Sequence, residues 1–233
     1  MGRECSENSR EPGNAGVIIN LCFHGIGAID HEREAGESRY WVTEQSFLHI
    51  LDDVRESSDV RLSFDDGNRS DHTIALPALL ERGLRASFFA LAGRLDDSDS
   101  LSPADLVDLR SAGMAIGSHG WTHMPWRGLS AAEAGRELVD ARAALAEASN
   151  GEVEDAALPL GRYDRQLLGR LKRVGYGTVY SSDRFPVRSS AWLQARYSVT
   201  ADDTTESIRS VIGSRHAVQD VRNVIVSAVK RIR

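Results

Sequence analysis

Six short apolar segments, each followed by a helix-forming stretch, constrain this chain more than any other feature. The runs at 17–23 (VIINLCF) and 60–64 (VRLSF) are rich in β-branched and aromatic residues, as buried strands are. Further strands are expected at 85–91, 114–118, 156–158 and 178–180. Between them lie helices with readable ends. Thr43 caps a helix over 43–51 with Phe47, Ile50 and Leu51 on one face. Asp71 or Thr73 caps the next, through Leu80, with Pro77 near its first turn and Gly83 at its end. Ser102-Pro103-Ala104-Asp105 is a strong helix start, and Gly113 stops that helix. Ser130-x-x-Glu133 is a capping box opening a long helix. Asp164 caps a helix ending at Gly175, and two more helical patterns follow at 204–212 and 217–232.

Strand–helix alternation of this kind builds a mainly parallel sheet, and periodicity alone leaves open whether that sheet is open or closed. The chain of 233 residues suits one domain of barrel size. Residues 1–15 read as a flexible polar tail, 16–200 as the domain, and 201–233 as C-terminal helices packed on it. No glycine-rich dinucleotide fingerprint follows the first strand. Net charge is −6 with no basic block, so nucleic acid is not an expected partner. Two cysteines, one in the polar tail, do not make a disulfide framework. The first fifteen residues hold no apolar signal core and no run spans a bilayer, so a cytoplasmic location is expected.

Chemistry-bearing residues cluster just after the strands. His24 follows the first, Asp65 and Asp66 the second, His119 and His123 the fourth, Pro159 and Gly161 the fifth, and Asp183 the sixth. In a parallel α/β barrel these ends gather on one face. Asp65-Asp66-Gly67 reads blandly as a polar turn. Functionally, it is two carboxylates whose repulsion a cation relieves, and in extended backbone they point to opposite sides. His119 and His123, four apart, present two imidazoles in one direction, unless both are simply half-buried structural residues. Taken together, two His and one Asp leave coordination positions open for water and substrate, with Asp65 free to act as base. The same ligand types suit a non-haem iron oxygenase, but its H-x-D spacing is missing.

SFDDG at 63–67 and HGWTH at 119–123 resemble, in order and separation, the first two motifs of the polysaccharide deacetylases (carbohydrate esterase family 4, NodB-homology domain). FHGIG, ALPALLERGLRASFFALAGRL and GYGTVYSSDRFP are similar to that family too, so the likeness runs over about 17–200. The resemblance implies a distorted (β/α) barrel in a single domain. It implies a divalent metal, zinc first, with Co2+, Ni2+ or Mn2+ as alternatives. Asp66, His119 and His123 would be its ligands and Asp65 the base. The substrate class would be an N-acetylated sugar or glycan. The family's third motif, Arg-x-Pro-Tyr, is replaced by Ala157-Leu158-Pro159-Leu160. Leu160 retains a backbone N–H for the oxyanion, while Arg162 or Arg196 would have to supply the missing charge. The family's Leu-x-His acid is not recognisable; His24 is the candidate, and His216 reads as a helix-start residue. Trp121, Trp126, Pro159, Tyr163, Asp183 and Arg196 are candidate substrate contacts; His31, His49 and His72 read as surface or capping residues. Three readings follow: an N-deacetylase, an amide hydrolase of a small N-acyl metabolite or sugar nucleotide, or a non-catalytic glycan binder that kept its metal. The sequence leaves the oligomeric state open.

Overall fold

The computed structural model describes residues 16–213 and 219–232. The tail expected at 1–15, His216 and the start of the last helix lie outside the described residues. Ten strands form: β1 (Val17–Phe23), β2 (Gly25–Ile26), β3 (Trp41–Val42), β4 (Val60–Phe64), β5 (Ala86–Ala90), β6 (Ala115–Ser118), β7 (Ala156–Ala157), β8 (Val179–Ser181), β9 (Val187–Arg188) and β10 (Leu193–Ser198). The helices are α1 (Glu44–Val54), α2 (Leu76–Glu81), α3 (Pro103–Ser111), α4 (Ala131–Gly135), α5 (Ala141–Ala148), α6 (Arg165–Val174), α7 (Thr205–Gly213) and α8 (Gln219–Ile232).

The sheet runs β10-β8-β7-β6-β5-β4-β1, and β1 also pairs in parallel with β10, with Asn20 opposite Arg196. That pairing closes seven parallel strands into a (β/α) barrel. β9 adds antiparallel to the start of β1, and β2 pairs with β3. The closing strand β10 was not among the expected strands. Its sequence, LQARYS, carries Gln and Arg where a buried strand normally carries apolar residues.

Alternation along the strands separates two interiors. Leu21, Phe23, Leu62, Phe64 and Phe88 face the helices and join Phe47, Ile50 and Leu51 of α1 in one core. Phe64 stacks on Phe88 at 4.6 Å, and Phe23 meets Phe47 edge-on. The barrel's inner face is more polar. Asn20 donates to Gln194 Oε1, and Ser63 donates to the Leu21 carbonyl.

Most helix starts follow local rules. Thr43 and Asp164 accept from Ser46 and Leu167 N–H, and both capping boxes, Ser102/Asp105 and Ser130/Glu133, are formed. The expected cap at Asp71 or Thr73 is not. Asp71 is fully buried inside a π-helical turn, Asp71–Ala75, and Thr73 donates to the Arg69 carbonyl. The turn ends with Leu76 N–H on the Asp71 carbonyl, and Pro77 follows. The ladder has thus slipped by one residue just where a proline removes a donor. The long helix expected after Ser130 forms, running from α4 into α5 with a second π turn, Arg136–Asp140, inside it.

Candidate metal centre and active site

One cavity of about 330 Å³ opens at the carboxyl ends of the barrel strands, lined among others by His24, Asp65, Asp66, His119, His123, Leu160 and Arg196. Asp65 and Asp66 leave the end of β4. Extended backbone would aim them apart, but Asp66 takes a left-handed conformation (φ 72), so both carboxylates enter the same cavity. His119 leaves β6, and a loop turning at Gly120 (φ 92) brings His123 (φ 64) back beside it. The two rings lie 5.0 Å apart.

Glu137, from the second π turn, shapes this loop. It is buried and accepts from Trp121 N–H (2.7 Å), Thr122 N–H and hydroxyl (3.2 and 2.6 Å) and, more distantly, Trp126 Nε1. A Cβ on Gly120 would come within 2.4 Å of the Glu137 carboxylate, so only glycine passes there. Glu137 was not foreseen; its sequence position carries no local signal.

The arrangement fits a divalent cation on its own hydrogen bonding. His119 Nδ1 lies 2.9 Å from the Ala157 carbonyl, which can only accept, so Nδ1 carries the hydrogen. His123 Nδ1 likewise donates to the Glu34 carboxylate at 2.7 Å. Both Nε2 atoms are therefore directed at Asp66 Oδ1, from 3.4 and 3.3 Å. That oxygen is buried and makes no hydrogen bond. Three ligand atoms, one each from Asp66, His119 and His123, lie within 4.8 Å of one another. A positive charge belongs between them. Burial opposes a charge on the His119 ring, but Asp65 and Asp66 outweigh it and raise its pKa. Burial likewise opposes the charge on Asp66, but the surrounding imidazoles hold its carboxyl far below the usual range. Two His, one carboxylate and room for further ligands match an open catalytic metal site. Carboxylate or carbonyl partners on the outer ring nitrogens are the usual support for such ligands.

Asp65 meets a different partner. Arg196 of β10 reaches across the barrel and donates from Nη1 and Nη2 to its two oxygens at 2.7 and 2.6 Å. The guanidinium packs against the rings of both Phe89 (5.3 Å) and Tyr180 (5.5 Å). Burial would push the Asp65 carboxyl up, but Arg196 and His119 outweigh it and hold it below the usual range. Cys22, His24 and Asp65 also approach one another, but Arg196 already supplies the cation there, and burial pushes the Cys22 thiol up.

His24 lines the cavity against Tyr40 (4.8 Å between rings), its Nδ1 buried without a hydrogen bond. Burial lowers its pKa against the pull of Asp66 and Asp65. Leu160 also lines the cavity, held left-handed at φ 54.

The other expected substrate contacts lie outside the lining of this cavity. Trp121 lies under Arg136 and against Gly93, Trp126 is core, and Pro159 is buried beside the cavity without lining it. Tyr163 donates to Asp183 at 2.5 Å, and Asp183 also accepts from Ser181 and Lys230. His72 pairs with Asp105 and Asp108.

Residues 52–179 match the family model described as polysaccharide deacetylase, more than half of the chain. The chain belongs to the polysaccharide deacetylase family. A curated relative, YxkH of Bacillus subtilis (strain 168), whose name assigns it provisionally to the same deacetylases, is 23% identical over 133 residues. That match takes in 57% of this chain and 48% of the relative, so the chain spans about half the length of the relative. Among solved structures, the Streptococcus pyogenes deacetylase PplD, solved with acetate, superposes with a TM-score of 0.73 at 17% identity, covering 85% of this chain and 99% of that one. BC0361 of Bacillus cereus, a polysaccharide deacetylase, gives 0.74 at 16% identity (84% and 69%). IcaB of Ammonifex degensii gives 0.69 at 18% (84% and 97%). At these identities the likeness is one of fold: the closed barrel is that of the NodB-type deacetylases. No helix among the described residues is long and apolar enough to cross a membrane.

Proposed function

We propose that this protein is a metal-dependent N-deacetylase acting on the acetamide of an N-acetylated sugar or glycan. One observation carries the reading: ligand atoms of Asp66, His119 and His123 converge beside Asp65, whose carboxylate is paired with Arg196, in a single cavity. Asp66, His119 and His123 would hold the ion, zinc first and cobalt, nickel or manganese as alternatives. Bound there, it would polarise the acyl carbonyl and acidify a water.

The chain's own groups do the rest. Asp65 takes the proton of the water that attacks the acetyl carbon. Arg196 keeps Asp65 ionised and fixes its orientation through two hydrogen bonds. Leu160, at the cavity wall, offers its N–H to the oxygen that gains charge. His24, on the cavity wall, gives a proton to the nitrogen as the C–N bond breaks. Acetate and a free amine leave. A non-catalytic binder would not need a base, and a buried Arg–Asp pair is costly to keep without a use.

Acetate release from N-acetylglucosamine oligomers and from N-acetylated sugar nucleotides, before and after chelation and with zinc restored, tests the reading. Release that chelation stops and zinc restores is expected. Release indifferent to chelation overturns the metal role, and no release from either class overturns N-acetyl sugar hydrolysis.

A further inference from the structure

Helix α8 is docked the wrong way round for a barrel helix. Its polar side chains face the protein: Ser227 bonds the Tyr163 hydroxyl (2.8 Å), Lys230 bonds Asp183 (2.7 Å), and Asn223 donates to the Arg184 carbonyl (2.9 Å). Its apolar side chains face outward. Val221, Val224, Ile225, Val226, Val229 and Ile232 are all exposed, Ile225 by 58% and Ile232 by 73%. Amphipathic helices on soluble domains do the opposite. A concentrated apolar patch of this kind marks a surface built to be covered.

The position of that patch says what covers it. A second cavity of about 460 Å³ is lined by Ile225, Val226 and Val229 of α8 together with Tyr163. It shares Leu160, Gly161, Arg162 and Ser182 with the catalytic cavity. The two cavities adjoin, with the Leu160 turn as their common wall; Arg127, Asp164 and Lys230 rim the second beside its apolar residues. Leu160 itself, held left-handed, is exposed by 51% at the junction. Both chambers have the size of small-molecule sites.

We propose that the α8 cavity is a substrate subsite, and that it takes an apolar chain attached to the N-acetylated sugar. This rests on the reading of the catalytic cavity as a deacetylase site. Adjacency of the two cavities selects a substrate tail over a separate partner: a chain leaving the sugar over the exposed Leu160 meets Ile225 and Val229 next.

The test compares methyl, butyl and octyl glycosides of N-acetylglucosamine, all below micelle-forming concentration. Each methylene that is buried strengthens binding about fourfold. The expected result for the unaltered protein is a kcat/KM for the octyl glycoside at least about tenfold above that for the methyl glycoside, carried by KM. In the double variant Ile225→Ser/Val229→Ser the octyl-to-methyl ratio falls toward one. Both positions are exposed, and thermal melting checks that the variant is folded. The chain-length series on the unaltered protein needs no variant. Calorimetric binding of the same glycosides separates the two readings: if octyl binds more tightly than methyl but neither yields acetate, the tail subsite stands and the deacetylase reading falls. A flat chain-length series in both turnover and binding overturns the subsite. So does an octyl preference untouched by the double variant. Two further results would reassign the face and overturn the proposal: phosphatidylglycerol vesicle binding lost in the variant with no chain-length effect, or a dimer in sedimentation that the variant dissolves.

Discussion

Arg196 and Asp65 form a two-point ion pair inside the barrel, Nη1 to Oδ1 and Nη2 to Oδ2, at 2.7 and 2.6 Å. Where the resemblance leads one to expect a third-motif arginine this chain has Ala157, and Arg196 brings a guanidinium to Asp65 from the last barrel strand instead. Arg196→Met strands a buried carboxylate, so it should lower kcat by about 10²-fold or more and cost roughly 3–5 kcal/mol of stability. Asp65→Asn/Arg196→Met removes both charges and should recover most of that stability while staying inactive. Denaturant unfolding and acetate release on the three proteins check this. Equal losses in the single and double variants would contradict it.

His24 is assigned the proton for the leaving nitrogen. His24→Ala should lower kcat on an N-acetyl amide by about 10²–10⁴-fold. Hydrolysis of 4-nitrophenyl acetate should suffer far less, because its leaving group departs without a proton. Equal losses on both substrates would refute an acid role.

Glu34 accepts from His123 Nδ1 and is itself held by Arg94 at 2.6 Å. Glu34→Gln should weaken zinc binding by about 10–100-fold, measured by competition with a chelator. Arg94→Gln should have the same effect in smaller measure. Binding unchanged in Glu34→Gln would detach Glu34 from the site.

Asp71 is the buried acid that the chemistry leaves unused. Burial, then Asp66 and Asp65, raise its pKa well above the ordinary value, and neither oxygen finds a hydrogen-bond partner. A raised carboxyl pKa makes folding less favourable as pH climbs above the unfolded value and toward the folded one. Asp71→Asn should therefore stabilise the protein by about 1–3 kcal/mol at pH 7 and by progressively less toward pH 4. Unfolding at several pH values measures the gap. A gap that widens in acid would contradict the assignment.

Much of this architecture was legible because it is written locally. Thr43, Ser102, Ser130 and Asp164 cap helices through bonds spanning three residues, and β1, β4, β5 and β6 are apolar runs. The DDG and His-x-x-x-His pairs stood out because each is close in sequence. What escaped depends on distant partners. β10 hides because Gln194 and Arg196 answer Asn20 and Asp65 across the barrel rather than an apolar core. Glu34 and Glu137 sit in polar stretches, and only the folded chain reveals that they grip His123 and its loop. Asp71 looked like a cap because acids begin helices; the π turn instead carries it inside. Tyr163 and Asp183 follow strands as site residues do, yet they bind each other and α8.

The account turns on Asp66, His119 and His123 holding a divalent ion while Asp65 stays outside the ligand set as base. Zinc titration of Asp65→Asn with bound-metal analysis, run beside acetate release, tests both halves at once. The predicted result is one zinc per chain, held about as tightly as in the unaltered protein, with acetate release lowered by at least about 10²-fold. Asp65→Asn releasing acetate at the unaltered rate, or a folded protein that takes up neither zinc nor cobalt, would contradict it.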